Sequence, residues 1–219
     1  MKSFRYGDVK QLQYSGMQKG LGANLSILAL DNLYCSGDFS TYKTENEKED
    51  IKYQGTLNNI EVNLGYAFDV AERSQVIPYF KAAHRKFSAR GVEKSGDTLN
   101  EEVRSITHAT YGIGIIHNGL VGEGWVLSQE AFIGRNTDCR IIYQSLAQEY
   151  LLSPGMYYGI ELKTTKFINE FFSINASVGF KVYNFGESDK HKTRDGSIEY
   201  ELKSNNSEYI FSIGASIHF

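Results

Sequence analysis

From Tyr209 to Phe219 every second residue is apolar: Tyr209, Phe211, Ile213, Ala215, Ile217 and Phe219. The residues between them, Ile210, Ser212, Gly214, Ser216 and His218, are small or polar apart from Ile210. A period of two gives a strand with one oily face and one polar face. A soluble sheet gains nothing from ending on such an aromatic. A barrel strand in a bilayer does, because its outer face meets lipid and its inner face a polar lumen.

The same alternation recurs along the chain. It is clear over Leu21–Ala29, Leu33–Phe39, Ile60–Phe68, Ala109–Ile115 and Phe172–Val182, and shorter over Tyr158–Leu162. Val76–Arg90 and Trp125–Arg135 are also read as strands. The register of the latter stays open, since Gln129 interrupts the face of Trp125, Leu127, Ala131 and Ile133, while the other face carries Glu130. Connections near Asp31, Ala71–Ser74, Asn118–Gly124 and Ile168–Glu170 are short. Those at Lys43–Gly55, Val92–Arg104, Thr137–Ser153 and Glu187–Ser207 are polar and long, the third containing an ambiguous apolar piece, Ile141–Leu152. Short and long alternate, as in membrane barrels with short turns at one rim and long loops at the other. With the terminal strand ending at the short-turn rim, an even strand number is required. Nine strands are visible, so Phe4–Ser15 is expected to supply a tenth, joined through Gly16–Gly20. The expectation is an all-β, antiparallel, up-and-down transmembrane β-barrel of about ten strands, with eight as the alternative. Residues 1–219 are read as one domain, with no internal repeat.

Composition agrees with this. Aromatics make up 13%, and 21 Gly accompany only 2 Pro, the usage of a β protein with tight turns. No apolar run approaches the roughly 18 residues of a helical span. The mean hydropathy of -0.37 suits a barrel, because half of each strand faces water. The net charge of -3 argues against a nucleic-acid partner. Met1–Phe4 opens no apolar signal region, so the barrel reading expects a chain whose signal has been removed. Cys35 and Cys139 fall at opposite ends of the expected barrel, beyond the roughly 7 Å that a disulfide spans, and are expected as free thiols.

Three stretches carry a family resemblance. The ending Phe211, Ile213, Ala215, Ile217 and Phe219, the segment Leu64-Gly65-Tyr66-Ala67-Phe68, and Ile77-Pro78-Tyr79-Phe80 after a short turn together resemble small bacterial outer-membrane β-barrel proteins, the OmpA-like and porin-superfamily barrels. The resemblance implies the outer membrane of a Gram-negative cell as location and the lipid bilayer as partner. It also implies that the insertion machinery reads Phe219. The roles it suggests are adhesion, envelope integrity or host interaction, through an extracellular or envelope protein partner.

In that register Asp38, Glu61, His108, Glu161, Lys163 and Lys181 point inward, joined by Lys81 and Arg85. An isolated buried charge is costly, so these groups are expected to pair. They would form either a network that plugs the lumen, the favoured reading, or the lining of a narrow diffusion pore. Tyr66, Phe68, Trp125 and Phe219, with Phe80 and Phe167, are expected as an aromatic belt at the short-turn rim. The same faces turned inward would make a soluble, lipocalin-like calyx.

Catalytic signals are sparse. Asp189-Lys190-His191 matches half of the site of omptin-like surface proteases, but Glu49-Asp50 and Glu101-Glu102 are weak partners for it. His84 and Ser88 share a face, and His117 opens a polar turn. These are the pieces a lipid A-modifying hydrolase would use, without an orienting third group. Asp189, His191 and His84 are therefore weak candidates beside a non-enzymatic reading. No spacing suggests a metal site, and no cofactor is expected.

Overall fold

The computed structural model describes residues 18–29, 32–48, 51–95, 98–144, 148–192, 198–199 and 203–218. The segment Phe4–Ser15, expected as a strand, lies outside them, as does Phe219. Thirteen strands occur among the described residues: β1 (Gln18–Ala29), β2 (Leu33–Lys48), β3 (Ile51–Tyr66), β4 (Phe68–Ala71), β5 (Ser74–Ser95), β6 (Thr98–Gly122), β7 (Trp125–Tyr143), β8 (Gln148–Leu152), β9 (Gly155–Phe167), β10 (Phe172–Phe185), β11 (His191–Lys192), β12 (Ile198–Glu199) and β13 (Ser204–Ile217). The main sheet is antiparallel, in the order β1-β2-β3-β5-β6-β7-β9-β10-β13. β4 prolongs β3 against β5, β8 pairs with β7, and β11 and β12 form a separate ribbon.

The sheet curls into a half-barrel. Its curl brings Arg85 of β5 into an ion pair with Glu208 of β13, across four intervening strands. β1 and β13 are its two edges. The fold class read from the sequence is therefore found as an all-β antiparallel sheet.

Alternation sorts the side chains between the faces. Ile60, Val62, Leu64 and Tyr66 of β3 are exposed, whereas Leu57, Glu61 and Asn63 are buried. On β13 the outward residues are more exposed still, with Phe211 at 79% and Ile213 at 92%. Leu64 and Val178 both stand on this outer face, so the greasy face is the convex one and a calyx with an oily interior is excluded. Gln129 is exposed and Glu130 turned inward, which settles the register of β7.

The hairpins differ at the two rims. Glu72-Arg73 and Glu123-Gly124 make two-residue turns, and Gly124 has φ +68°, where a side chain would be strained. Asn32 takes φ 82° at the end of the β1–β2 turn, a region that Asn tolerates better than most residues. At the other rim the strands run on through segments expected as loops. β2 and β3 remain paired to Lys48 and Ile51, and β5 and β6 to Ser95 and Thr98. Lys43–Gly55 and Val92–Arg104 are thus mostly long hairpin arms. The ladder propagates through backbone hydrogen bonds and needs no apolar side chains.

Two internal devices shape the sheet. One cross-strand row on the concave face reads Tyr34, Gly65, Tyr79, Gly114, Phe132, Gly159, Lys181 and Glu208. A Cβ on Gly114 would strike the Tyr79 ring, and one on Gly159 the Phe132 ring, so each glycine opens room for a neighbouring aromatic to lie flat. The second device is a bulge. Ala109 pairs with Thr137 and Thr107 with Arg140, leaving Asp138 and Cys139 opposite the single residue His108. Asp138 has φ 49°. Below the bulge Phe132 and Asn136 face inward; above it Cys139, Ile141 and Tyr143 do.

Gly112 and Gly134 stand opposite each other, and a Cβ on either would strike backbone of the facing strand. Valine at either position should cost about 1–3 kcal/mol through overpacking, read as a lowered urea midpoint of the refolded protein. Valine at Gly37, which has open space, should leave the midpoint nearly unchanged.

Candidate functional site: the charged concave face

The concave face gathers its ionised groups because the inward residues of neighbouring strands fall in register. Asp38 lies opposite Glu61, Asn63 opposite Ser36 and Lys81, and Glu130 opposite Glu161. At the centre is Lys81, 4% exposed. Its Nζ lies 2.7 Å from Glu61 Oε1 and 3.1 Å from Glu130 Oε1. Tyr79 donates its hydroxyl to Glu130. Asn63 Nδ2 donates to Glu61 Oε1 at 3.3 Å and to Ser36 Oγ at 3.1 Å. A buried ammonium held by two carboxylates, each with a further donor, meets the condition under which ionised groups persist away from water.

A second layer lies toward the long-hairpin rim. The Arg85 guanidinium pairs with Glu208 and sits 4.2 Å from the centre of the Tyr183 ring. Tyr183 stacks on Tyr157 at 4.7 Å, and Tyr157 meets Phe132 at 4.7 Å. Lys81 Nζ lies 4.0 Å from the Phe132 ring centre. An aromatic column thus bridges two cations, with cation–π attraction at both ends. Higher still, Ile141, Tyr143, Tyr150, Leu152 and Phe185 pack as a buried apolar cap. Asn136, fully buried, accepts from Thr110 Oγ1 at 2.8 Å and donates to the Asn184 carbonyl at 3.3 Å, tying β7 to β6 and β10.

Of the residues expected inward, Glu61 and His108 are buried and Asp38, Glu161, Lys163 and Lys181 half-buried. His108 packs its ring edge-on against Phe185 at 5.0 Å and Tyr183 at 5.7 Å. Neither of its ring nitrogens has a hydrogen-bond partner among the described residues. Glu130, Glu208 and Tyr79 were not foreseen as network members. Their roles depend on cross-strand register, which alternation within one strand does not report.

Tyr66, Phe68 and Trp125 are exposed near the short turns. Tyr66 and Phe68 are in ring contact at 4.9 Å, and Lys166 Nζ sits 5.3 Å from the Trp125 ring. The fourth belt residue expected, Phe219, lies outside the described residues. Cys35 is exposed on the outer face and Cys139 buried inside, and both are free thiols.

The catalytic candidates are dispersed. His84 projects from the outer face of β5, and no hydrogen bond joins it to Ser88. Asp189 is exposed beyond β10. The backbone of His191 is in β11, and its side chain, like those of Glu101 and Glu102, lies outside the described residues; so do Glu49 and Asp50 altogether. Two serine–histidine contacts do form, Ser74 Oγ to His117 Nε2 at 2.8 Å and Ser173 Oγ to His218 Nε2 at 2.9 Å. Among the described residues neither imidazole has the carboxylate that would orient it as a base. No group of three or more His, Cys, Asp or Glu side chains suited to a metal ion occurs among the described residues.

No protein-family model matches the chain, and no curated protein is significantly similar to it.

Replacing Lys81 with Met would remove the ammonium in direct contact with both Glu61 and Glu130, at a cost of about 3–5 kcal/mol. A urea titration of the refolded protein should show this as a large loss of stability. Lys163→Met, at a half-buried site, should cost far less.

Proposed function

We propose that the chain spans the bacterial outer membrane as a small β-barrel whose filled interior makes it a structural and surface-interaction element. The observation that carries this reading is the inversion of faces. Leu21, Phe80, Phe211 and Ile213 stand exposed on the outside, while Glu61, Lys81 and Arg85 are enclosed. In water that arrangement exposes a continuous apolar girdle that soluble proteins avoid. In hydrocarbon it is the favourable one. The apolar band ends at the short turns on one side and at Lys19, Lys43, Lys86 and Arg135 on the other, which matches a span of about 10 residues per strand.

The long hairpins β2–β3 and β5–β6 would stand clear of the bilayer and offer backbone edges and charged arms to an extracellular or envelope partner. Against a conducting role, the Lys81 network, the Tyr157–Tyr183 stack and the apolar cap occupy the concave face in successive layers. Against an enzymatic role, the serine–histidine contacts have no orienting acid among the described residues.

The protein should refold only with detergent or lipid and migrate differently on gels before and after boiling. Trp125, the sole tryptophan, should be quenched by lipids brominated near the headgroup more than by lipids brominated near the chain ends, as an interfacial residue. A soluble, detergent-free monomer would overturn the spanning reading. In planar bilayers the protein should give no unitary conductance steps, and Lys81→Ala combined with Tyr183→Ala should introduce them. Regular steps from the unaltered protein would favour the pore instead.

A further inference from the structure

On the outer face of β5 the residues run Phe80, Ala82, His84, Lys86. Ala82 is the small one. It lies opposite Val62 on β3 and Tyr111 on β6, and the next row down is Leu64, Phe80 and Ile113. These six side chains frame an open apolar groove of about 440 Å³ with Ala82 as its floor. The groove leads toward cations. His84 and Lys86 follow Ala82 on the same strand face, and at about 3.3 Å per residue Lys86 stands roughly 13 Å along. Arg135 lies opposite Tyr111 on the neighbouring strand, exposed on the same face. The side chains flanking Lys86 are Asn58 and Thr107, both uncharged. Among the described residues, the nearby acids on this face, Asp138 and Glu149, are both engaged by Arg140, at 3.0 and 3.4 Å.

We propose that this groove is a specific lipid site. One acyl chain lies over Ala82 between Phe80 and Tyr111, and the lipid's phosphate is held by Lys86, His84 and Arg135. The occupant is a phosphorylated, acylated lipid of the leaflet on the long-hairpin side. The proposal rests on the spanning reading above. Two features favour such a lipid over a protein partner. The apolar part is a narrow dent in an otherwise continuous greasy wall. His84 and Lys86 lie beyond the groove along β5, and Arg135, two strands across from Ala82, reaches toward them from the side, so that each Lys or Arg there gains attraction to anionic lipid.

The test is native mass spectrometry of the detergent-purified full chain. It is titrated with phosphatidylglycerol, with phosphatidylcholine of the same acyl chains, with bisphosphorylated lipid A, and with inorganic phosphate. Phosphatidylglycerol and lipid A should be retained roughly tenfold or more over phosphatidylcholine, given two to three cations at the headgroup, and inorganic phosphate should not be retained. The triple variant His84→Gln, Lys86→Gln, Arg135→Gln should lose the preference between headgroups. Ala82→Phe should reduce retention of all three lipids by filling the groove. Equal retention of the two phospholipids by the unaltered protein, or a preference unchanged in the triple variant, would overturn the site. Heat-modifiable mobility and Trp125 quenching are measured on every variant. If both persist while the lipid preference is absent, the site fails and the spanning reading stands. If both are absent in the unaltered protein, the spanning reading fails and the lipid site with it.

Discussion

The ammonium of Lys81 is the pivot of this molecule. Enclosed between Glu61 and Glu130 and set against the Phe132 ring, it fixes which face of the sheet is the inner one. In a strand, turning one residue inward turns its neighbours outward. Once Lys81 is inside, Phe80 and Ala82 must be outside. The register then carries that assignment to Leu64 and Ile113 on the adjoining strands. The girdle of exposed apolar residues is therefore the other side of the same choice. A shift of one residue in β5 would bring the ammonium out and the phenyl ring in.

Packing supports the electrostatics through the row of alternating large residues and glycines. Tyr79 can reach Glu130 two strands away because Gly114, lying between, has no side chain to lift the ring. Phe132 lies over Gly159 in the same way. The glycines thus serve the polar network although they touch no charge. Their effect is to let aromatic rings lie flat along the wall, so that the concave face fills with side chains rather than solvent.

Much of this architecture is legible in the residues themselves. The alternation of Ile60–Phe68, Phe172–Val182 and Tyr209–Ile217 reports strand, face and inward set together, since each position has only two orientations. What alternation does not carry is the neighbour across the ladder. Glu61 is visibly inward, but that Lys81 and Glu130 meet there depends on two registers. The charged arms of β2, β3, β5 and β6 read as loops because a hairpin held by backbone bonds needs no oily stripe. The stretch Ile141–Leu152 looks ambiguous for a local reason: apolar residues occupy both faces there, with Ile141 and Tyr143 buried and Ile142 and Leu151 exposed, and the inward parity of β7 has changed since Phe132 and Asn136. Of the candidate site, the inward cations were legible on their own strands. The outer-face groove was not, because its floor is a single alanine defined only by what stands beside it.

That change of parity is made by Asp138 and Cys139 sharing one partner, His108. It acts as a phase shifter in the strand. Below it β7 contributes to the wall; above it the same strand leans Ile141 and Tyr143 inward to meet Tyr150 and Phe185. One additional residue in the backbone thus decides whether the wide mouth of the half-barrel is roofed by aromatic rings or left open. Any close relative in which this position is one residue shorter would present those rings to its surroundings and leave the charged layer uncovered.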